Sequence, residues 1–213
     1  MNTVAADDKS GLSPGIRAVE PEIHRTVIGV DVGGRRKGFD VALLDDREVV
    51  TLTRGLDRKA AVELVSIHQP ALIAVDSPRS CAPEGHSTRE CERELKTSIC
   101  GIRWTPDRKR VDAEPYFAWV LEGLALYHTL AAADVPIIEV FPTASWTRWH
   151  GPRGPLTRAA WTRDGLKRLR LTGVPERTSQ DQRDAIAAAM TAQQHIRGLT
   201  QEIGEIVVPA GRW

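Results

Sequence analysis

Hydrophobic residues in the first part of the chain recur with a two-residue period. The segment "TVIGVDV" at 26–32 is a short β-branched run that ends at two glycines, and "GFDVALLDD" at 38–46 has apolar residues at alternate positions. A third run, "REVVTLT" at 47–53, follows the Asp45-Asp46 turn directly. Three strands joined by such short connections predict an antiparallel meander.

The pattern then changes to the helical period. Apolar residues spaced three and four apart predict a helix over 57–68, with Asp57 at the N-cap position. The same spacing predicts helices over 114–133 and 180–196. Between them, residues 143–172 are typical of one or two basic helices interrupted by Gly-Pro.

Two further strands alternate with these helices. "ALIAVD" at 71–76 is apolar until its last residue, as expected for a strand that is covered on both faces, and "VPIIEVF" at 135–141 is the next strand. The long polar stretch at about 77–110 contains one short predicted helix near "TRECERELK". A connection of this length is usually functional or disordered.

This order of elements predicts an α/β fold. We expect a mixed five-stranded sheet, in which a three-strand antiparallel meander is extended by parallel strands, with helices on both faces. Residues 25–213 are predicted to form a single domain with an insertion at about 77–110. Residues 1–24 are polar with little periodicity, which predicts a flexible leader.

Composition limits the classes of protein to which the chain can belong. With 29 Lys and Arg against 28 Asp and Glu, any affinity for nucleic acid must come from a local basic patch. Three cysteines and no charged-then-apolar leader predict a cytoplasmic protein with reduced thiols. No apolar stretch approaches the roughly 20 residues that span a bilayer, so no membrane partner is expected. Four residues lie close in the sequence and could form a zinc site, although they lack the tight Cys-x-x-Cys pair of the usual structural zinc sites: Cys81, His86, Cys91 and Cys100.

Four aspartates stand where the predicted elements begin or end. Asp31 ends the first strand and Asp76 ends the fourth, and the carboxyl ends of neighbouring strands form a natural site in such sheets. Asp181 and Asp184 lie three apart in the first turns of the last helix and so share one face. If that helix packs beside these strands, four carboxylates converge. Hard divalent cations offset the repulsion between them, which predicts two Mg²⁺ or Mn²⁺ ions roughly 4 Å apart and chemistry on a phosphodiester.

Each acid also has a purely structural interpretation. Asp31 can begin a turn, Asp76 can bond the Ser-Pro turn that follows it, and Asp181 can be a first-turn acid favoured by the helix dipole. Ser179 and Gln182 match a capping box. Asp184 lies past the cap, and the joint placement of all four acids favours a metal site.

Several segments together resemble known families of one fold. The acids and their elements are similar to those of the ribonuclease-H-like superfamily, and the Asp-x-x-Asp of the last helix resembles its Holliday-junction-resolvase branch. More closely, residues 26–198 resemble the family of the domain of unknown function numbered 429, whose members are labelled predicted nucleases. The segments that carry this resemblance are "GVDVGG", "IAVDSPRS", "RECERELKTSICGIRWTPDR", "IEVFPTASW" and "DQRDAIAAAMTA".

The resemblance implies roles for individual residues. The four aspartates, Asp31, Asp76, Asp181 and Asp184, take the catalytic and metal-binding positions. Glu139 matches the end of a family strand and is a possible additional acid, or else it pairs with an arginine. The charged insertion of the family matches Arg89, Glu92 and Arg93.

Basic residues supply a candidate substrate surface. Residues 147–170 carry seven Lys and Arg side chains with Trp146, Trp149 and Trp161 interleaved or adjacent. Guanidinium groups contact phosphates and indoles stack on bases, so this stretch predicts a nucleic-acid surface. The alternative is a solvated helix face whose tryptophans belong to the core. The residues predicted to bind substrate are Arg35, Arg36, Arg89, Arg93 and Arg103.

These features predict a metal-dependent nuclease that hydrolyses phosphodiester bonds of DNA or RNA by a two-metal mechanism. A non-catalytic module of the same fold, which binds nucleic acid or protein, is the alternative. A third hypothesis is an ATP-dependent actin-like kinase, because "GVDVGG" resembles a phosphate loop, although Arg-Arg-Lys follows it in place of Thr or Ser. The sequence leaves open whether the substrate is DNA or RNA and whether the protein is a monomer or a homodimer.

Overall fold

The computed structural model describes residues 26–34 and 36–212. The predicted leader and Arg35 lie outside the described residues. The strands are β1 (Val27–Val32), β2 (Phe39–Asp45), β3 (Glu48–Leu52), β4 (Leu72–Asp76), β5 (Ile137–Val140), β6 (Thr200–Ile203) and β7 (Ile206–Pro209). The α-helices are α1 (Arg58–His68), α2 (Glu90–Ser98), α3 (Arg108–Ala113), α4 (Ala118–Leu130), α5 (Pro142–His150), α6 (Arg158–Leu169) and α7 (Gln180–Ile196).

All these strands form one mixed sheet in the order β3-β2-β1-β4-β5-β7-β6. Strands β1, β2 and β3 form the predicted antiparallel meander, and β4 and β5 extend it in parallel with β1. The five predicted strands and the α/β class are therefore confirmed. The carboxyl ends of β1 and β4 lie side by side in the middle of the sheet.

The C-terminal hairpin of β6 and β7 adds two strands that the pattern analysis did not predict. Ile203 pairs with Ile206, so Gly204 and Glu205 form a two-residue turn, and Gly204 has a positive φ of 56°. A glycine between two short apolar runs is a hairpin signal. Strand β7 joins the sheet beside β5, and the hairpin packs against α2 of the insertion through Cys91 and other apolar side chains.

Helices cover both faces of the sheet, as predicted. Helix α7 packs across β1, β2 and β4, and the tryptophans of α5 and α6 complete the core on that face. Helices α1 and α4 cover the opposite face. The alanines of α7 allow a very close approach: a Cβ on Gly29 would lie 2.2 Å from the carbonyl oxygen of Ala185. Within the described part of the chain, no helix is both long enough and apolar enough to cross a membrane.

Alternation along the strands determines which acids face α7. Successive side chains of a strand point to opposite faces, so Gly29, which contacts α7, and Asp31 share a face. In β4, Ala74 belongs to the same core as α7, and Asp76 is two residues further on. Both acids therefore project toward the beginning of α7.

Candidate active site at the carboxyl ends of β1 and β4

Three aspartates lie in one row across the sheet. Asp31 is paired in register with Asp76 of β4 on one side and with Asp40 of β2 on the other. Paired residues of neighbouring strands project to the same face. The sequence analysis did not select Asp40, although the signal was present, because Phe39 and Val41 occupy the opposite face and leave Asp40 facing α7.

Asp31 and Asp76 share the electrostatic environment of a buried pair. Burial raises the pKa of Asp31 to about 10, and repulsion from Asp76 and then from Asp184 adds to the increase. Burial, followed by repulsion from Asp184, raises the pKa of Asp76 to about 8, and a hydrogen bond from Asp31 opposes this increase. The two carboxyl groups titrate as one unit, so the pair keeps at least one proton at neutral pH.

Asp184 completes the group from α7 and is held by three donors. Its Oδ1 accepts hydrogen bonds from Trp146 Nε1 at 3.1 Å and from Gln180 Nε2 at 3.1 Å. Its Oδ2 accepts Arg158 Nη2 at 2.7 Å and Gln180 Nε2 at 3.0 Å. Burial raises the pKa of Asp184, and the charge of Arg158 lowers it. Asp184 is thus fixed in orientation and paired with a cation.

Asp181 lies at the rim of this group. Its carboxylate accepts a hydrogen bond from Lys37 Nζ at 3.2 Å, and 39% of its side chain is exposed. Its charge contributes to the raised pKa of Asp31. The structure therefore brings all four predicted aspartates to one site, with Asp181 in its most exposed position.

Asp40 connects the acid row to α7 through the helix cap. Its Oδ2 accepts Ser179 Oγ at 3.3 Å, and its Oδ1 accepts the backbone N–H of Gly55 at 2.8 Å. Ser179 is the N-cap of α7, because its hydroxyl accepts the N–H of Gln182. The capping box therefore coexists with the acid site and places Asp184 beside the strand ends.

A cavity of about 940 Å³ opens above the acids. The four aspartates contribute to its lining, and residues 99–103 of the insertion form part of its wall. The basic side chains that line it are Lys37, Arg89, Arg103, Arg153 and Arg158. Acids beneath a basic wall suit a ligand that carries phosphates and is approached by cations.

The predicted substrate-binding arginines have different positions. Arg103 lines the cavity. Arg36 and Arg93 are exposed and lie outside the cavity lining, and the Nη1 of Arg93 donates to the Thr88 carbonyl at 3.2 Å. Lys37 and Arg158 touch the acids directly, and although Arg158 belongs to the predicted basic stretch 147–170, neither is among the five named substrate-binding residues.

Arg89 is buried and bound to glutamates. Its guanidinium donates to Glu139 Oε1 at 2.5 Å and Oε2 at 2.8 Å, to Glu92 at 3.0 Å and to Glu205 at 3.1 Å. Only 4% of the side chain is exposed. This arginine therefore joins the insertion, β5 and the β6–β7 turn. It also lines the cavity, and a direct contact with substrate stays a prediction.

Glu139 faces away from the acid row. It is paired in register with Val75, one residue before Asp76, and therefore projects to the opposite face of the sheet. Besides Arg89, its Oε2 accepts the backbone N–H of Arg79 at 2.8 Å. The structure shows the ion pair with an arginine, but Glu139 also lines the cavity with the aspartates, so its role as an additional acid stays a prediction.

The tryptophans of α5 and α6 belong to the core. Trp146, Trp149 and Trp161 are 1%, 7% and 3% exposed, and each indole N–H donates a hydrogen bond inside the protein. Their faces are covered, so they cannot stack on bases without unfolding. The predicted aromatic part of the nucleic-acid surface is therefore wrong, because the interleaved tryptophans point inward from a helix pair whose basic side chains point outward.

The four aspartates fit a divalent cation by their chemistry. Carboxylate oxygens are the ligands that Mg²⁺ and Mn²⁺ prefer, and the pKa values of Asp31 and Asp76 are raised first by burial and then by neighbouring acids. Over residues 26–34 and 36–212, however, no group of three or more His, Cys, Asp and Glu side chains has the spacing of a preformed metal site. A shared proton, Arg158 and Lys37 balance the acids instead, so a cation would have to displace at least one of them.

The sheet order, the parallel central strands and the acid-bearing last helix define an α/β protein of the ribonuclease-H-like class. The chain belongs to the family described as protein of unknown function (DUF429), whose model matches residues 29–207. A search of curated proteins returned no match.

The comparison with solved structures found two RuvC structures to which the chain is similar. One is T. thermophilus RuvC in complex with Holliday junction substrate, which is 15% identical over 82% of this chain and 96% of that chain, with a TM-score of 0.50. The other is a Thermus thermophilus RuvC structure, 15% identical over 81% of this chain and 96% of that chain, with a TM-score of 0.45. At this identity the likeness shows the fold alone.

Proposed function

We propose that the protein is a metal-dependent nuclease that hydrolyses phosphodiester bonds of DNA or RNA in the cavity above Asp31 and Asp76. The observation that carries this proposal is the in-register pair of acids, joined by Asp184 from α7 and faced by a basic wall. A pair of acids this close is electrostatically costly, and a site for a divalent cation gives a physical reason for it.

Asp31, Asp76, Asp181 and Asp184 would hold the cation, Mg²⁺ or Mn²⁺, and two ions is the number that the sequence predicts. When bound, such ions stabilise the charge that develops on a phosphodiester and favour deprotonated water. The hydrogen bonds from Trp146 and Gln180 hold Asp184 in one orientation. Asp31 and Asp76 would hold the cation as carboxylates, so its binding would release protons from the pair.

The basic residues of the cavity attract the substrate. Lys37, Arg103 and Arg153 line it at different positions along its wall, so a phosphate chain has several charged contacts. The similar structure of RuvC is described as a complex with a Holliday junction substrate, which supports nucleic acid as the class of substrate to test first. The buried tryptophans argue that phosphates, more than stacked bases, provide the contacts.

The test is cleavage of duplex, single-stranded and branched DNA and RNA by purified protein with Mg²⁺ or Mn²⁺. We expect Asp31→Asn and Asp76→Asn to abolish cleavage while circular dichroism shows an intact fold. Asp164→Asn, which changes an exposed acid of α6, is the matched control and should retain activity. Complete inactivity of a contaminant-free preparation with either metal, or cleavage that survives in the Asp31→Asn Asp76→Asn double variant, would overturn the proposal.

One observation favours the alternative, a non-catalytic module that binds nucleic acid. The acids lack the spacing of a preformed metal site within the described residues, and Arg158 already pairs with Asp184. This alternative predicts that affinity for an oligonucleotide survives Asp31→Asn and falls steeply with salt, with no cleavage under any condition.

A further inference from the structure

We propose that Arg158 is a phosphate-binding residue that is bonded to Asp184 in the cation-free protein and moves to the substrate phosphate when a divalent cation takes that carboxylate. The proposal rests on the proposed function, because it assumes that the aspartates hold a cation. A single side chain would then couple cation binding to substrate binding.

The geometry of the pair is that of a counter-ion at a metal position. Arg158 Nη2 lies 2.7 Å from Asp184 Oδ2, and Asp184 is almost fully buried. The other two donors to this carboxylate, Trp146 and Gln180, are neutral. The charge of Arg158 acts on Asp76 as well as on Asp184. A single guanidinium therefore balances the acids from the position at which an incoming cation would compete.

Arg158 can leave this position without a change of the backbone. It is the first residue of α6, whose N-cap Thr157 accepts the N–H of Ala160, and its own carbonyl accepts the hydroxyl of Thr162. Its side chain is 45% exposed and lines the cavity, and within the described part of the chain Asp184 is the hydrogen-bond partner of its guanidinium. A guanidinium has five N–H donors in a planar fork that matches a phosphate.

The other cation beside the acids does not have these properties. Lys37 pairs with Asp181 at 3.2 Å, and both side chains are substantially exposed. Exposed pairs of this kind contribute little and exchange readily with solvent ions. Competition with an incoming cation is therefore concentrated at the bond between Arg158 and Asp184.

This role predicts effects of opposite sign on two kinds of binding. Removal of Arg158 takes away a competitor, so divalent cations should bind more tightly. The same removal takes away a phosphate contact, so an oligonucleotide should bind more weakly. A purely structural arginine would weaken both, because the site would lose its order.

The first experiment is calorimetric titration of Mn²⁺ without nucleic acid into the full-length protein, Arg158→Ala and Arg153→Ala. Arg153 lines the same cavity, so Arg153→Ala removes one positive charge from it, as Arg158→Ala does. We expect the affinity for Mn²⁺ to be about tenfold higher in Arg158→Ala than in the unaltered protein. In Arg153→Ala we expect it to change by no more than about twofold, because distant exposed charges are screened. Unchanged or weaker binding in Arg158→Ala, relative to Arg153→Ala, overturns the proposal.

The same titration separates this proposal from the proposed function. If the unaltered protein binds no Mn²⁺, a gain of binding in Arg158→Ala supports the exchange and no gain overturns it. If the protein binds Mn²⁺ but cleaves no nucleic acid, the nuclease proposal fails and the affinity ratio still decides the role of Arg158.

The second experiment measures the phosphate contact by fluorescence anisotropy of a labelled oligonucleotide at saturating Ca²⁺. Affinity for the oligonucleotide should fall about tenfold further in Arg158→Ala than in Lys59→Ala, which removes an exposed charge of α1 outside the cavity lining, and an equal fall in both variants counts against the contact. Arg158→Gln retains a neutral donor for Asp184 and replaces the alanine variant if that variant unfolds. It should show the same increase in affinity for Mn²⁺ and the same decrease in affinity for the oligonucleotide.

Discussion

Asp31 and Asp76 are paired in register on two neighbouring parallel strands, with their carboxyl groups close enough to share a hydrogen bond. Neighbouring strands of a sheet are about 4.8 Å apart, so two acids at one level cannot both be ionised without strong repulsion. The raised pKa values of both acids follow from this pair and its burial.

The pair predicts that stability falls as pH rises when no divalent cation is present. The folded pKa values of about 10 and about 8 lie above the ordinary value of 3.8, so between about pH 4 and 8 both members of the folded pair keep protons that the unfolded chain has released. One such proton lowers the free energy of unfolding by at most about 1.4 kcal/mol per pH unit. Urea unfolding at pH 5, 6, 7 and 8 measures this slope.

Asp31→Asn should flatten that slope, because the amide can donate to Asp76 and the repulsion disappears. Glu63→Gln, an exposed change on α1, should leave the slope unchanged. Mn²⁺ should stabilise the protein more at pH 8 than at pH 5, since it replaces the proton. Equal slopes in Asp31→Asn and in the unaltered protein would contradict the shared proton.

Gly29→Ala should separate α7 from the sheet. An added Cβ would lie 2.2 Å from both the Ala185 carbonyl oxygen and the Ala189 nitrogen, which are backbone atoms that cannot rotate away. We expect a loss of about 1–3 kcal/mol in the free energy of unfolding and weaker cation binding, because Asp184 moves with the helix. Gly34→Ala is the control, because its added Cβ would have no atom within 4 Å. Chemical denaturation measures the free energy of unfolding of both variants. Similar losses in the two variants would show that the close packing of α7 has no special role.

Arg89→Met should be strongly destabilising because it leaves buried carboxylates without a cation. Glu92 and Glu139 are 0% and 3% exposed, and breaking such a pair costs about 3–5 kcal/mol. The exposed pair of Arg108 and Asp112 is the comparison, and Arg108→Met should cost less than about 1 kcal/mol. The loss in Arg89→Met should shrink as the pH falls, because burial raises the pKa of Glu139 and Arg89 no longer lowers it in this variant. A loss that does not depend on pH would instead indicate a packing defect.

Trp146→Phe tests the orientation of Asp184. The variant removes the indole N–H that donates to Asp184, at a cost of about 1–3 kcal/mol in unfolding, and the cavity left by the fully buried ring adds to this cost. Trp149→Phe removes a comparable bond to Gln194 and is the matched control. We expect only Trp146→Phe to weaken Mn²⁺ binding in calorimetric titration. A similar decrease in both variants would mean that Asp184 does not depend on this donor.

Local patterns in the sequence were sufficient for most of the fold and for the four aspartates. The alternation in 26–53 and the helical spacing in 57–68 and 180–196 predict the elements that the structure contains, because burial of one face produces the period directly. Asp31 and Asp76 end apolar strands, and Asp184 follows a recognisable helix cap. These features are visible in short windows of the chain.

The remaining features depend on contacts between distant segments. Glu139 ends a strand much as Asp76 does, yet its register with Val75 turns it to the other face and toward Arg89. The pairing of Arg158 with Asp184 and the inward direction of the tryptophans arise from how α5 and α6 pack on α7. The sequence by itself determined the elements and which acids stand at their ends, since periodicity and capping are local. Only the tertiary structure decided which charges face one another, because register and helix packing set distances between residues that no short segment contains.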